Sequence, residues 1–281
     1  MMLATRSLKL CDEAQLMAIV NLTPDSFFAG SRNLTADDVR RSVERAVNEG
    51  ANILDLGGYS SRPGAEDVSL EEEWRRVRMG LEAVRDMEQG VVVSIDTFRS
   101  EIVRRAYDEF GEFIVNDISA GELDANMARV VAERGLVYVA MHMRGNPTTM
   151  NSLTHYEGGV VGDVVDYFKA RIEELISHGI DPKNIIIDPG IGFAKSTEQN
   201  YELLTELQPL AALGYELLVG VSRKSMIYRP LGITPEESLP GSLALAWEAL
   251  RGGAKIIRVH DVAPTRQIID LYNHYNRPLH D

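Results

Sequence analysis

The stretch AKIIRVH, residues 254–260, is the last of eight short runs rich in apolar and β-branched residues. The other seven runs are 16–21 (LMAIVN), 52–58 (NILDLGG), 91–96 (VVVSID), 113–117 (FIVND), 136–142 (LVYVAMH), 184–188 (NIIID) and 216–221 (ELLVGV). Near-continuous hydrophobicity of this kind is typical of parallel strands that are covered on both faces. Eight strand and helix pairs in about 250 residues predict a (β/α)8 TIM barrel.

The segments between the runs predict helices from their apolar spacing, and Gly50 is a predicted stop for the first of them. Three of these segments begin with the spacing of a capping box: Thr35 with Asp38, Ser69 with Glu72, and Ser196 with Gln199. An open, doubly wound sheet uses the same strand and helix units and is the alternative. Because the count of eight favours the barrel, we predict an α/β protein with a single domain over residues 1–281.

Composition and charge narrow the class of protein and of partner. A net charge of −13 makes nucleic acid or an acidic membrane surface an unfavourable partner. The single cysteine, Cys11, excludes an intrachain disulfide framework and any site built on several thiolates. No apolar stretch is long enough to span a bilayer, and the N-terminus lacks the apolar segment of a signal peptide. We therefore expect a cytoplasmic protein that binds small molecules.

Every one of the eight runs ends in polar residues, and in a barrel the active site lies at the carboxyl ends of the strands. One set suits a phosphate or diphosphate, since arginine offers paired donors to such groups: Asn21, Arg62, Arg258 and His260. A second set suits an amino-oxo-pyrimidine ring, since carboxylates accept from paired N–H groups and lysine donates to a ring carbonyl: Asp96, Asn116, Asp188 and Lys224. Together they predict a ligand with a pyrimidine-like edge and a phosphate ester.

Each of these residues also has a purely structural interpretation. Asp96 and Asp188 precede turns that they could cap. His142 stands between two methionines and is predicted to pack rather than to bind, and Asp55, inside the second run, is predicted to be a satisfied structural group. The coincidence at all eight run ends favours a ligand site, because independent caps would not select both anion donors and pyrimidine partners.

The metal sites with the most recognisable spacing are absent from the sequence, which has no His-x-x-x-His pair and one cysteine. Mg²⁺ held by one amide or carboxylate and by the phosphates of a ligand stays possible, with Asn21 and Asp96 as candidates. The order of residues shows no Ser/His/Asp triad and no nucleophile elbow, so nothing in it predicts covalent catalysis.

Eight segments resemble, in order, the motifs of the dihydropteroate synthase family. They are 21–27 (NLTPDSF), 57–64 (GGYSSRPG), 94–97 (SIDT), 115–118 (VNDI), 141–145 (MHMRG), 188–193 (DPGIGF), 222–225 (SRKS) and 258–261 (RVHD). The resemblance implies a (β/α)8 barrel, commonly a homodimer, in folate biosynthesis. It also implies the condensation of 6-hydroxymethyl-7,8-dihydropterin diphosphate with p-aminobenzoate to 7,8-dihydropteroate, with release of diphosphate.

The resemblance further implies a role for each matching position. Asn21 would meet Mg²⁺ and the diphosphate, which Arg62, Arg258 and His260 would hold. Ser61 and Ser222 would lie beside p-aminobenzoate. The pterin would contact the second set: Asp96, Asn116, Asp188 and Lys224. The reaction itself would depend on Asn21, Arg62, Lys224, Arg258 and His260.

The chain departs from the family pattern in its first two loops, 23–33 and 59–67, which the resemblance implies are mobile and close over the substrates. Tyr59 stands where an acidic residue is common, Ser61 where threonine is usual, and Ala29 in a position often taken by an aspartate-containing turn. Three rival functions follow: a pterin-dependent methyltransferase, a catalytically idle pterin-binding relative, and a barrel acting on another phosphorylated metabolite. The diphosphate set argues against the first rival and the pyrimidine set against the third.

Overall fold

The computed structural model describes residues 13–23, 35–59, 68–87 and 90–276, in which eight parallel strands close into a barrel in sequence order. The strands are β1 (Gln15–Asn21), β2 (Ile53–Gly57), β3 (Val92–Asp96), β4 (Ile114–Asp117), β5 (Val137–Met141), β6 (Ile185–Asp188), β7 (Glu216–Val219) and β8 (Ile256–Val259). Each lies within two residues of a predicted run. The barrel closes because β1 pairs with β8, from Gln15 opposite Ile256 to Ala18 opposite Val259. The predicted (β/α)8 barrel is confirmed and the open sheet is excluded.

Ten α-helices lie in the described residues, and none of them is both long and apolar enough to cross a membrane. They are α1 (Ala36–Asn48), α2 (Leu70–Arg85), α3 (Ser100–Phe110), α4 (Met127–Arg134), α5 (Val160–Ser177), α6 (Thr197–Thr205), α7 (Gln208–Ala211), α8 (Ser225–Leu231), α9 (Leu239–Arg251) and α10 (Val262–Tyr275). The short α7 and α8 are additions to the one helix per strand that the sequence predicts. Pro209 is the second residue of α7, a position in the first turn where its missing N–H breaks no helical hydrogen bond.

The predicted helix starts are present. Thr35 and Ser196 each form the full capping box with the residue three positions on. At Ser69 the serine half of the box is present, because its side chain accepts a hydrogen bond from the backbone N–H of Glu72. Gly50 follows α1 with φ of +98°, a conformation that favours glycine.

The barrel interior is built in layers along the strands. Seven buried apolar side chains form its inner apolar cluster: Met17, Ile53, Ile114, Val139, Ile186, Leu218 and Ile256. Since side chains alternate across a strand, the residue two positions further along points inward again. In four strands that residue is polar: Asp55, Asn116, Asp188 and Arg258. The apolar layer therefore supports a polar layer, which lies one step nearer to the carboxyl ends of the strands.

Candidate active site

The strand register brings most of the predicted site residues to one end of the barrel. Asp96, the last residue of β3, lies opposite Asn116 of β4 and opposite Gly57 of β2. Asp188 ends β6, and Asn21 ends β1 opposite Gly57. Three further predicted residues follow the last two strands: Ser222 and Lys224 after β7, and His260 after β8. Ser61 and Arg62 lie outside the described residues.

The guanidinium of Arg258 joins the two predicted sets of residues. Its Nε donates a 2.7 Å hydrogen bond to Asp55 Oδ2, and its Nη2 donates another of 2.7 Å to Asp96 Oδ2. Asn116 Nδ2 donates to the same Asp55 oxygen at 3.0 Å. Arg258, predicted to bind diphosphate, thus contacts Asp96, predicted to bind the pterin. The diphosphate and pterin sets form one connected network in this structure.

The prediction that Asp55 is a satisfied group is confirmed for one of its carboxylate oxygens, Oδ2, and is wrong for the other, Oδ1. Asp55 is fully buried, and its Oδ1 has no hydrogen-bond partner among the described residues. An unpaired buried carboxylate oxygen is destabilising, and it is also ready to accept from a ligand N–H or O–H group. Asp55 stands two residues before Gly57, the last residue of β2, and so points to the same interior as the residues at the strand ends. That two-residue spacing was the signal available in the sequence.

The carboxyl group of Asp96 titrates far from its ordinary range. Burial is the largest cause and raises its pKa to about 7, against the lowering effect of Arg258. The nearby Asp55 carboxylate raises the pKa further, by repulsion between like charges. Near neutral pH, Asp96 is therefore partly protonated, and N–H donors of a ligand would favour its ionised form.

Asp188, which is buried, and Lys224, which is partly buried, are two further charged groups at this end of the barrel. Asp188 accepts from the backbone N–H of Gly190 at 2.8 Å, and burial raises its pKa against the opposing effect of Lys224. Lys224 Nζ donates to the carbonyl oxygen of Ile191 and lies 5.1 Å from the centre of the Phe193 ring. Burial lowers the pKa of Lys224 to about 8, so it is mostly charged at neutral pH.

The segment after β7 turns Ser222 and Arg223 towards the end of β8. Ser222 Oγ accepts from the backbone N–H of His260 and lies 3.2 Å from His260 Nδ1. Arg223 has φ of +55°, which is uncommon for a residue with a side chain, and its guanidinium pairs with Asp261 at 2.6 and 3.0 Å. Ser222, predicted to contact p-aminobenzoate, is therefore a direct neighbour of His260, predicted to contact the diphosphate.

Of the two predicted magnesium ligands, Asp96 accepts a hydrogen bond from Arg258. Asn21, at the end of β1, makes no side-chain hydrogen bond to another described residue. Within the described ranges, no group of three or more His, Cys, Asp or Glu side chains is placed to hold a metal ion. A single amide oxygen fits Mg²⁺ only where a substrate's phosphate oxygens and water supply the other ligands.

His142 and Lys195 form a buried contact that the sequence did not predict. His142 is buried and its ring packs edge-on against Tyr167 at 4.8 Å between centres, as the packing prediction requires. Its Nδ1, however, also lies 2.9 Å from Nζ of Lys195, which is only 9% exposed. The two residues are 53 positions apart, and nothing local in the sequence marks the pair.

Comparison with known proteins agrees with this geometry. The family described as pterin binding enzyme matches residues 17–260. The dihydropteroate synthase of Synechocystis sp. is 43% identical over 254 residues, which cover 90% of this chain and 87% of the relative. The match to the family over residues 17–260 runs from within β1 to just past the end of β8 and includes the polar layer.

Solved structures give the same result in three dimensions. A Yersinia pestis dihydropteroate synthase with a sulfonamide drug complex superposes with a TM-score of 0.89 and 34% identity, covering 98% of each chain. A Xanthomonas albilineans dihydropteroate synthase with 4-aminobenzoic acid superposes with a TM-score of 0.87 and 37% identity, covering 95% of this chain and 94% of that one.

Proposed function

This chain belongs to the dihydropteroate synthase family of pterin-binding enzymes, and from that premise we propose how the residues at its strand ends divide the work of the reaction. The enzyme is a transferase of folate biosynthesis. It joins 6-hydroxymethyl-7,8-dihydropterin diphosphate to p-aminobenzoate, forming 7,8-dihydropteroate and releasing diphosphate. The observation that carries the assignment of residues is the network of Asp55, Asp96, Asn116 and Arg258.

The polar layer recognises the pterin. The carboxylates of Asp96 and Asp188 accept from the amino and ring N–H groups, and Lys224 donates to the ring oxygen. Asn116 donates from Nδ2 to Asp55, so the Oδ1 atom of Asn116 is left to accept from the ligand. A small apolar cluster beside these groups contacts the ring faces: Ile118, Met141 and Met143, with Phe193 packed against it.

Arg258 and His260, with Arg62, stabilise the leaving diphosphate. Two of the five N–H donors of Arg258 are used by Asp55 and Asp96 among the described residues, so three stay available for an anion. When the bond between the methylene carbon and the diphosphate oxygen breaks, its electron pair leaves with the diphosphate, and charge develops next to these donors. The amine nitrogen of p-aminobenzoate then bonds to the carbon and loses a proton to solvent. Positioning and electrostatics therefore replace a strong base.

Mg²⁺ is proposed to bind between Asn21 and the diphosphate, where it would neutralise phosphate charge. Asn21 contributes one neutral oxygen at the end of β1, so affinity for the ion would depend on the substrate. Ser61 and Ser222 are proposed to contact p-aminobenzoate. The single domain over residues 1–281 and the cytoplasmic location stay predictions.

A homodimer is proposed through the outer face of α9 and α10. Trp247 packs edge-on against Tyr272 and Tyr275, with ring centres 5.6 and 5.8 Å apart. Leu271 is 57% and Tyr275 74% exposed on the same surface. Exposed aromatic and apolar residues of this kind are typical of subunit interfaces. Sedimentation of the wild type and of Leu271→Glu tests the interface, and the substitution should release monomers.

The first experiment measures diphosphate release from 6-hydroxymethyl-7,8-dihydropterin diphosphate, with and without p-aminobenzoate and with Mg²⁺ or a chelator. Release that requires both p-aminobenzoate and Mg²⁺, with dihydropteroate formed, supports the proposed site. A folded protein that binds the pterin and releases nothing is instead the idle relative. Methyl transfer from methyltetrahydrofolate to a corrinoid protein would support the methyltransferase rival.

A further inference from the structure

The turn that follows β6 is held between two lysines. It runs from Asp188 to Phe193 and uses positive φ at Gly190 and Gly192, +66° and +85°. Lys224 contacts it at Ile191 O and at the Phe193 ring. Two other carbonyl groups of the turn, Gly190 O and Phe193 O, accept from the second lysine, Lys195, at 3.0 Å each.

Lys195 is buried, and its Nζ has three neutral partners, the two carbonyl oxygens and His142 Nδ1. Burial lowers the pKa of His142 to about 2, so the imidazole is neutral at any ordinary pH. Burial also lowers the pKa of Lys195 well below its usual value. The three contacts fit both forms of the amine: the ammonium donates three bonds, and the neutral amine donates two and accepts one from Nδ1–H.

The same turn packs closely against His142, the residue that follows β5. A Cβ atom built on Gly190 would lie 2.0 Å from the carbonyl oxygen of His142, and 3.5 Å from Lys195 Nζ. Asn200 holds the other end of the turn, since its Oδ1 accepts from Gly192 N–H, and the amide is itself oriented by the bond that its Nδ2 donates to Ser196 O at 2.7 Å. The position of the turn is thus set by buried polar contacts on several sides.

We propose that Lys195 is a positioning residue for the pterin: it fixes the turn 188–193 against His142 and so places the Asp188 carboxylate, the Phe193 ring and the carbonyl partner of Lys224. The inference rests on the proposed function, because it assigns the pterin to Asp188 and Lys224. Lys195 itself contacts backbone carbonyls and a histidine, and it reaches the ligand only through the turn.

The test replaces Lys195 by methionine, which keeps the length and apolar stem of the side chain and removes the amine. The KM for the dihydropterin diphosphate should rise about tenfold or more, because the turn loses two buried hydrogen bonds and shifts. The KM for p-aminobenzoate should change less than about threefold, since its proposed contacts lie on other loops. Lys183→Met is the matched control, because Lys183 is 77% exposed and precedes β6 at the opposite end of the barrel.

The outcomes separate the inference from the proposed function. A wild type that forms no dihydropteroate overturns the proposed function. If the wild type is active, three results with Lys195→Met overturn the inference: both KM values are unchanged, the only change is a lower melting temperature, or both KM values rise equally. If Lys195→Met does not fold, His142→Phe tests the inference instead. This substitution keeps a ring against Tyr167 and removes Nδ1, the side-chain partner of Lys195. A pterin KM about threefold higher supports the inference, and an unchanged KM overturns it.

Discussion

Replacement of Asp55 by asparagine is the sharpest perturbation of the network around Arg258. The substitution keeps the shape of the side chain and removes its charge. In the wild type, Asp55 Oδ2 accepts from Arg258 Nε at 2.7 Å and from Asn116 Nδ2 at 3.0 Å. The amide oxygen of asparagine can accept both bonds, but Arg258 would then have a carboxylate on one side only, at Asp96.

The magnitude follows from those two contacts. Hydrogen bonds to a charged group contribute about 1.5–3 kcal/mol each, and a neutral acceptor gives about half of that. The new amide NH2 group would take the place of Oδ1, which has no hydrogen-bond partner among the described residues, so the loss is counted from the two contacts of Oδ2 alone. We expect Asp55→Asn to lower the free energy of unfolding by about 2–3 kcal/mol. We also expect kcat to fall about tenfold or more, because Arg258 is less firmly oriented.

Urea denaturation measures the first effect, and steady-state release of diphosphate measures the second. Leu81→Ala is the stability control, because Leu81 is a fully buried residue of α2 and its truncation is expected to remove about 3 kcal/mol. Comparing the two variants at a temperature where both are folded separates loss of stability from loss of orientation.

Two results would refute this reasoning. An Asp55→Asn variant with the stability and kcat of the wild type would show that the contacts of Asp55 contribute nothing measurable. A variant that is destabilised but matches Leu81→Ala in kcat would show that Asp55 supports the barrel without orienting Arg258.

Two further predictions concern the same end of the barrel. Asp96 has a folded pKa of about 7 against an ordinary value of 3.8, so the folded state holds the extra proton and the contribution of Asp96 to the stability of the ligand-free wild type falls as pH rises through that interval. Relative to the wild type, Asp96→Asn should gain about 4 kcal/mol between pH 4 and pH 8 in urea titrations, and equal slopes for both proteins would contradict the shifted pKa. Gly190→Ala should lose more than about 2 kcal/mol, because its Cβ would meet His142 O. Gly214→Ala, with a similar φ of +83° but open space around it, should lose only about 1 kcal/mol, and equal melting temperatures for the two variants would rule out the clash.

The sequence alone determined the strands, most helix starts and the family. Parallel strands covered on both faces must be apolar almost throughout, so a local run of apolar residues is enough to predict each of them. The observed strands fall within two residues of the predicted runs. Capping boxes at Thr35 and Ser196 are equally local, since both partners lie three residues apart. Eight ordered motifs then predicted the site residues at and after the ends of the strands.

Only the tertiary structure decided which of these residues touch. Asp55 meets Arg258 across 203 positions and Asn116 across 61, and Lys195 meets His142 across 53. Such contacts depend on the register between strands and on barrel closure, which set the height of each side chain inside the barrel. A local pattern states that a residue points inward but not which partner it meets there. For that reason the sequence placed Arg258 with the diphosphate set, and the fold placed its guanidinium between two carboxylates of the polar layer.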